Sequence, residues 1–495
     1  MVQLLLNNPA VVGNDAQQSE WKSALVVVDN ILSADKNNVD AAFNRAQLLW
    51  KLGRLVEAKL AYIHVLTLSP AHFGAINNLG VLLYSEGLKK DARICYAEAV
   101  LKHPENHVGH INFANSLVED GELLLAREHY EKALSIVPGL SEAHKGLANV
   151  FEKQGDESAA ELYRKLYFKQ RAITVYPCRG GGQPVRVLLL ASTRGNVPIR
   201  IPEFFDETIF HVTAIIPEFY NSGESLPQHQ LIVNLIGNAD ICRESLDAAC
   251  KLIVSTSAPV INHPDIVFET GRVSVANRLR HVQDVISPLM INVSRSVLTA
   301  QNAISSLSAR GFTMPFLLRT PGFSNGLHFY RVENAYDLSA ALEALPGDEI
   351  TVIQFLGARS ADGKIRKYRV MMVDGKIYPL HVAISRQWKI HYETADMSDC
   401  SEHRAEDAAF LNNMPDILGQ KAMLALECIG DILGLDYGGV DFSLNDKGEV
   451  LLFEANANMV VHPPDSDKRW DYRREPVQRV ISAIKNMFVR RRAAY

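Results

Sequence analysis

The sequence predicts a multidomain chain: an all-α repeat solenoid, then an α/β domain, then an α+β domain. Three observations carry this. The chain has 495 residues, which at ~150 residues per domain makes about three domains. Its first third repeats with a period of 34 residues. After a glycine-rich break at 180–182, β-branched and aliphatic runs replace the helical period.

The repeat comes first. Gly53, Gly87, Gly121 and Gly155 share one register, and Ala58, Ala92, Ala126 and Ala160 a second. Pro70, Pro104 and Pro138 share a third, and Tyr62, Tyr96 and Tyr130 a fourth. A glycine ends the first helix of each unit, a small alanine lets the second pack close, and a proline stops it. The pattern resembles the tetratricopeptide repeat, with "NNLGVLLYSEGLKKDARICYAEAVLKHP" (77–104) as its best copy. Three repeats cover 39–138. Residues 19–38 read as the second half of a degenerate preceding repeat, and 141–172 as a fourth, with Arg164 in the tyrosine register. Residues 1–172 are therefore expected to stack as helix pairs with a concave face.

Asn44, Asn78 and Asn112 also recur at 34 residues, one residue before the packing position held by Arg45, Leu79 and Phe113. In sugar-transferring proteins of this superfamily, an asparagine ladder here grips the backbone of an extended peptide. An amide donates and accepts at once, so it suits a peptide bond of any sequence. The resemblance implies a peptide or protein partner along this face. The alternative is asparagines that merely face water. Helical repeats often self-associate, so a homo-oligomer is compatible with the sequence.

Composition narrows the classes. At 47% apolar and 22% charged, the chain is an ordinary globular protein. A net charge of −5 gives no electrostatic case for nucleic acid. Arg490, Arg491 and Arg492 form a short basic tail, read as a solvated end rather than a contact to a polyanion or membrane. Six scattered cysteines with no zinc-like spacing suggest reduced thiols and a cytoplasmic location. "MVQLLLNNPAVV" lacks the positive start of a signal peptide, and no apolar run reaches the ~18 residues of a membrane helix.

"VYPCRGGGQP" reads as the end of a linker over 173–184. "VRVLLLAS" (185–192), "HQLIVNLIGNAD" (229–240) and "PVINHP" (259–264) then read as strands, and "SLDAACKLIVS" as a helix between the last two. Strands alternating with helices imply a parallel sheet covered on both faces. No GxGxxG follows the first strand and no GxxxxGK[ST] occurs, so neither phosphate-binding fingerprint is present.

"GGVDFSLNDKGEVLLFEANANM" (438–459) places two acids, Asp441 and Glu454, among apolar residues. It reads as a hairpin turning at "NDKG". If Leu444 pairs with Glu449, then Glu454 lies opposite Gly439, and Asp441, Glu454 and Asn456 share one face. Three oxygen ligands on a buried face suit Mg²⁺. The alternative is an ion pair with Lys447 or a nearby arginine.

"VDF…VLLFEANANM" resembles the metal-binding hairpin of ATP-grasp ligases of the glutathione synthetase/RimK-like carboxylate–amine superfamily. Other pieces fall in the family's order. "PFLLRTPGFSNGLHFYRV" (315–332) looks like the strand, glycine loop and strand over the nucleotide phosphates. "ITVIQFLG" (350–357) looks like the hinge strand beside adenine, and "RKYRVMMVDGKIYPLHVAIS" (366–385) like the hairpin whose arginine reaches the reaction centre. The resemblance implies a pre-ATP-grasp α/β domain over 185–265 and an ATP-grasp domain over 266–495, with a lid at about 310–357.

By position, the resemblance makes Asp441, Glu454 and Asn456 the Mg²⁺ ligands, with Glu454 bridging two ions. Arg369 would stabilise the tetrahedral intermediate. Gln354, Phe355 and Leu356 would line the adenine pocket, and Gly322, Ser324, Asn325 and Gly326 the phosphate loop. Where the family usually has two phosphate-contacting lysines, this chain has Arg272 and Arg319, forks that also bind phosphate. His381, Arg386, His391 and His462 lie near the site in sequence order and are candidates for holding a substrate or accepting a proton.

The implied activity is an ATP- and Mg²⁺-dependent joining of a small carboxylate to an amine or thiol through an acylphosphate. A kinase that stops at phosphoryl transfer and a non-catalytic, ATP-sensing scaffold are the alternatives. "GFSNG" also matches the G-x-S-x-G elbow of hydrolases, but "LHFYRVEN" follows it and alternates like a strand where the elbow needs a helix.

Overall fold

The computed structural model describes residues 15–169, 171–194, 201–221, 223–323, 326, 328–390, 392, 395–464 and 467–493. Two compact units emerge, Met1–Gln170 and Arg171–Tyr495.

The first unit is a helical solenoid. Helix α1 (Asp15–Ala34) precedes four antiparallel pairs. These are α2 (Val39–Lys51) with α3 (Leu55–Leu68), and α4 (Phe73–Ser85) with α5 (Lys89–Lys102). Then come α6 (His107–Glu119) with α7 (Leu123–Ile136), and α8 (Ser141–Gln154) with α9 (Glu157–Phe168). The glycine register sits in the four turns at φ of +73°, +81°, +80° and +80°, the left-handed conformation that closes a helix. The alanine register is fully buried at 0% exposure, which sets the close approach of each pair. Tyr62, Tyr96 and Tyr130 plug the seams, and Arg164 takes the fourth seam with Glu157 and Glu161 as partners.

The tyrosines explain what became of the asparagine register. Asn44 is exposed, but Asn78 is half-buried and donates to the Tyr62 hydroxyl at 3.4 Å. Asn112 is only 6% exposed and donates to Asn77 Oδ1 at 2.7 Å. Gly146 occupies the register's fourth place, and a Cβ there would lie 2.2 Å from the Tyr130 ring. Of the three asparagines only Asn44 is exposed; Asn78 is tied to Tyr62 and Asn112 to Asn77, so the register does not present three equally open amides.

In the second unit, the first sheet has the order β1-β3-β2-β4-β5, from β1 (Ile173–Tyr176), β2 (Val185–Leu190), β3 (Phe210–Ile215), β4 (Leu231–Asn234) and β5 (Val260–Ile261). Strands β2 to β5 run parallel, and β1 adds antiparallel to β3 at the edge. The linker assigned to 173–184 thus begins with an edge strand. All four β1 residues are exposed, so β1 carries no burial pattern, and its pairing with β3 is long-range. Strand β3 was not foreseen either.

A four-stranded sheet, β7-β10-β8-β9, comprises β7 (Met290–Ser294), β8 (Phe316–Arg319), β9 (Phe329–Val332) and β10 (Glu349–Gln354). The β7–β10 pairing joins residues 290–294 to the sheet formed within 316–354. A five-stranded sheet, β12-β11-β13-β14-β6, holds β6 (Val285–Ile286), β11 (Ile365–Val373), β12 (Lys376–Ser385), β13 (Tyr437–Leu444) and β14 (Val450–Asn456). Loop 320–328 joins two antiparallel strands, so the hydrolase elbow has no helix to support it. The C-terminal helix Arg474–Arg491 buries Val480, Ile484 and Phe488 in the core shared with the first sheet, where Phe488 stacks on Phe205 at 5.0 Å. Its arginines are not a free tail: Arg490 and Arg491 pair with Asp374, and Arg491 also with Asp436.

Two predictions follow from the solenoid. Gly146→Ala should lower stability by about 1–3 kcal/mol through overpacking on Tyr130, read as a lower midpoint in denaturant unfolding of the full chain. The second concerns His110 and His129, whose Nδ1 atoms lie 2.9 Å apart, with His110 Nε2 bonded to Pro104 O at 2.9 Å. Burial, then His110, pushes His129 below the ordinary histidine value. A group with a lowered folded pKa binds fewer protons in the native state. Its contribution is therefore complete above about pH 6.5 and declines as pH falls towards the lower folded value. Thermal unfolding should show this acid loss, and His129→Gln should flatten it.

Candidate functional site

The site is a row of side chains across one sheet. On β11, Lys367 and Arg369 are two residues apart and share a face. Arg369 pairs with His381 on β12 and with Asp441 on β13, and Asp441 pairs with Glu454 on β14. The residues His381, Arg369, Asp441 and Glu454 thus stand side by side on four adjacent strands.

The hairpin register differs from the expected one. Leu444 pairs with Val450, not Glu449. Continued without interruption, that register would put Asp441 and Glu454 on opposite faces. A β-bulge after Asp441 leaves Phe453 as an extra residue and sets Glu454 directly across from Asp441. A second bulge, between Arg369 and Val370, adjusts the other side of the row. The convergence of the acids was foreseen; the bulge that creates it was not.

Each acid is held by cations. Asp441, 2% exposed, accepts from Arg369 Nε at 2.5 Å and Arg369 Nη2 at 2.8 Å, and from Lys367 Nζ at 2.9 Å. Burial alone would raise its pKa; Arg369, then Lys367, outweigh that and hold it far below the carboxylate range. Glu454 accepts from Arg272 Nη2 at 2.5 Å and from Asn456 Nδ2 at 2.8 Å. Its pKa too would rise by burial, but Arg272, then Arg319, bring it below its ordinary value. Arg319, whose side chain reaches the Phe323 carbonyl, is pushed down to about 10 by burial and then by Arg272, and stays cationic at neutral pH. Burial, then Arg369 and Arg473, drive His381 well down, so it is a neutral imidazole and a weak base.

Four cations, Arg272, Arg319, Lys367 and Arg369, therefore surround two carboxylates, and Lys389, Arg469 and Arg473 add to the positive balance of the same cleft. They line a cleft of about 1190 Å³ between the four- and five-stranded sheets. Gln354, Phe355 and Leu356 line it as well, and Gln354 clasps Leu289 through both its backbone N–H and its Oε1. Gly326, at φ +70°, meets Lys389, and a Cβ there would lie 2.6 Å from Lys389 Cε. Gly322 lines an adjoining pocket with Arg272, Arg319, Glu454 and the loop after β4. In that loop, Gly237 lies against the Ala457 backbone, where a Cβ would approach to 2.8 Å.

Among the other expected residues, His381 is buried beside Arg369 and His462 stands at the exposed rim of the cleft. Arg386 is exposed, does not line the cleft, and offers only its carbonyl to Arg359. Ser324, Asn325 and His391 lie outside the described residues. Three residues escaped the sequence reading. Lys367 was legible as the partner of Arg369 in the alternation of "RKYR". Asn458 and Arg473 had no local signal.

The fit to a divalent cation can be tested on oxygens. No cluster of three His, Cys, Asp or Glu ligands exists among the described residues. Asn456 Oδ1 accepts from the Asn458 N–H at 2.8 Å, which occupies one of its two lone pairs and leaves the other for a cation. Asn458 Oδ1 is buried without a hydrogen-bond partner in the same cleft. A carboxylate pair with two carboxamide oxygens fits a hard cation, with Asp441, Glu454 and Asn456 as the expected holders and Asn458 as a further oxygen.

Asp441→Asn would leave Arg369 and Lys367 buried without their shared anion. It should destabilise the second unit by about 3–5 kcal/mol in denaturant unfolding, as removal of one partner from a buried ion cluster does.

Comparison with known proteins bears on the repeats. A family model of the tetratricopeptide repeat matches residues 39–72. A crystal structure of MamA is 21% identical, over 32% of this chain and 94% of that one, with a TM-score of 0.29. MamA 41-end from Desulfovibrio magneticus RS-1 is also 21% identical, over 32% and 90%, with a TM-score of 0.29. MamA AMB-1 is 18% identical, over 30% and 92%, with a TM-score of 0.27. No curated protein matches the chain. Among the described residues, no helix is long and apolar enough to cross a membrane, and all six cysteines are unpaired. The first unit is a tetratricopeptide-repeat solenoid, a fold suited to protein–protein interaction, and a mixed α/β region follows it.

Proposed function

We infer that the second unit is an ATP-grasp-type ligase. It would use Mg-ATP to activate a small carboxylate as an acylphosphate and pass the acyl group to an amine or thiol. The observation that carries this reading is the excess of cations over carboxylates around Asp441 and Glu454 in the inter-sheet cleft. ATP carrying one divalent cation is still an anion near neutral pH, so its polyphosphate suits a cleft of that sign. Arg272 and Arg319 raise each other's electrostatic energy, offset in part by Glu454 and Asp240, and a bound phosphate relieves that repulsion further.

The chain's own groups supply positioning and charge. Arg272 and Arg319 would orient the terminal phosphates. The backbone around Gln354, Phe355 and Leu356 would border adenine. Magnesium, which Asp441, Glu454 and Asn456 would hold with Asn458 as a further oxygen, would neutralise charge on the transferring phosphoryl group. Arg369, kept in place by Asp441, would face the developing oxyanion when the acceptor attacks. Neutral His381 is suited to hydrogen-bonding a substrate rather than to taking a proton. The scheme requires no protein nucleophile. The solenoid would recruit a peptide or protein partner.

One observation favours a second reading. Asp441 has both oxygens in ion pairs with Arg369 and Lys367, so the row is self-sufficient without a cation. A unit that binds ATP without catalysis would need no more. A kinase would differ by releasing ADP with no acceptor added.

Calorimetric titration of Mg-ATP decides between these. Wild type should bind, and Arg319→Ala should weaken binding by about tenfold or more, ~1.4 kcal/mol or above. Affinity that does not change on removing Mg²⁺ would favour the scaffold reading. No binding to wild type would refute the nucleotide site.

A further inference from the structure

Beyond the phosphate-facing arginines, the cleft contains one more buried guanidinium, that of Arg473. It closes the short 3-10 helix Lys468–Arg473 and is 9% exposed. Its Nε is buried and has no hydrogen-bond partner. Among the described residues its one hydrogen bond is a long one, from Nη2 to Leu380 O at 3.4 Å. Its nearest carboxylate, Asp407, lies 3.7 Å from Nε and is fully buried. That carboxylate already accepts from the Val382 N–H at 2.8 Å, the Tyr472 hydroxyl at 2.7 Å and the Tyr392 hydroxyl at 3.4 Å. Burial raises the Asp407 pKa while Arg473, the Val382 N–H and the two tyrosine hydroxyls all favour its charged form, so Arg473 is one of four groups sharing it. A buried guanidinium Nε without a hydrogen-bond partner, beside a carboxylate already shared among other donors, is costly unless an anion completes it.

The surroundings say what kind of anion. The Tyr392 ring supports the guanidinium face-on at 4.2 Å, which fixes the plane of the fork. The His381 ring packs at a tilt against the same ring, 4.5 Å between centroids, and its side chain makes no hydrogen bond among the described residues. Arg473, His381 and Tyr392 line the large cleft but not the adjoining pocket around Arg272, Arg319 and Glu454. A flat, oriented fork beside an imidazole suits a planar carboxylate bound bidentately. The reacting carboxylate must face the phosphate end, so this group is a different one.

We propose that Arg473, with His381 beside it, holds a second, non-reacting carboxylate of the acid substrate, which is therefore a small compound with at least two carboxylates. This rests on the ligase reading for the word "substrate", but the anion site itself does not.

The test titrates malonate, a minimal dicarboxylate, into the full chain with and without a non-hydrolysable ATP analogue and Mg²⁺. Saturable malonate binding is expected in wild type. Arg473→Gln should weaken it about tenfold or more, and Arg473→Lys, which keeps the charge but loses the fork, should also weaken it. Both variants should bind the nucleotide analogue as wild type does, and circular dichroism checks that each is folded. If Arg473→Gln does not fold, the Arg473→Lys result stands alone. Malonate affinity equal in wild type and the folded variants, or no saturable binding to wild type, would overturn the proposal. Malonate binding through Arg473 in a protein that takes no Mg-ATP would uphold the anion site and sink the ligase reading.

Discussion

The second unit depends on one constraint: carboxylates buried within a sheet must meet cations on neighbouring strands. Arg369, Asp441 and Glu454 stand in register on β11, β13 and β14, and Arg272 closes the row from the start of helix Arg272–Arg278. Any single member left alone would be an uncompensated buried charge. The two bulges shape this row, since one sets Glu454 across from Asp441 and the other sets His381 across from Arg369. Lys367 adds the charge that leaves the row positive rather than neutral.

That positive balance organises the cleft. Arg272 and Arg319 lie where the glycine loop and the loop after β4 approach the end of β14, and Gly237, against the Ala457 backbone, and Gly322, against the Ile241 side chain, leave room for the approach. Toward the 3-10 helix, Arg473 and His381 rest on Tyr392. The cleft thus carries two cationic regions with the Arg369–Asp441 pair as a further element of its lining. Such a layout suits a ligand or ligand pair with anionic groups at separated points, and ill suits an apolar guest.

The solenoid solves a different problem. Its stability is built from repeated short-range contacts, a left-handed glycine and a buried alanine in each pair with a tyrosine plug in the first three, so each repeat depends on its neighbours alone. The tyrosine plug also consumes the asparagine register. Asn78 meets Tyr62, and at Gly146 the Tyr130 ring fills the space a side chain would need. A surface that appears as a free amide ladder in one dimension is partly core in three.

Much was therefore legible before any coordinates. The repeat period, the helix pairs and the β8–β9, β11–β12 and β13–β14 hairpins follow from local patterns, because turn glycines and strand runs are properties of adjacent residues. The charged residues in apolar runs, Asp441 and Glu454, announced a site because burying them demands partners. What the sequence could not determine was long-range: the edge strand β1, the sheet that carries β7, the bulge at Phe453, the Arg272–Glu454 pair and the placement of Asn458 and Arg473. These depend on which strands meet and how a register slips. Pairing across more than a hundred residues leaves no periodic trace in the chain, so only the packed tertiary structure decides it.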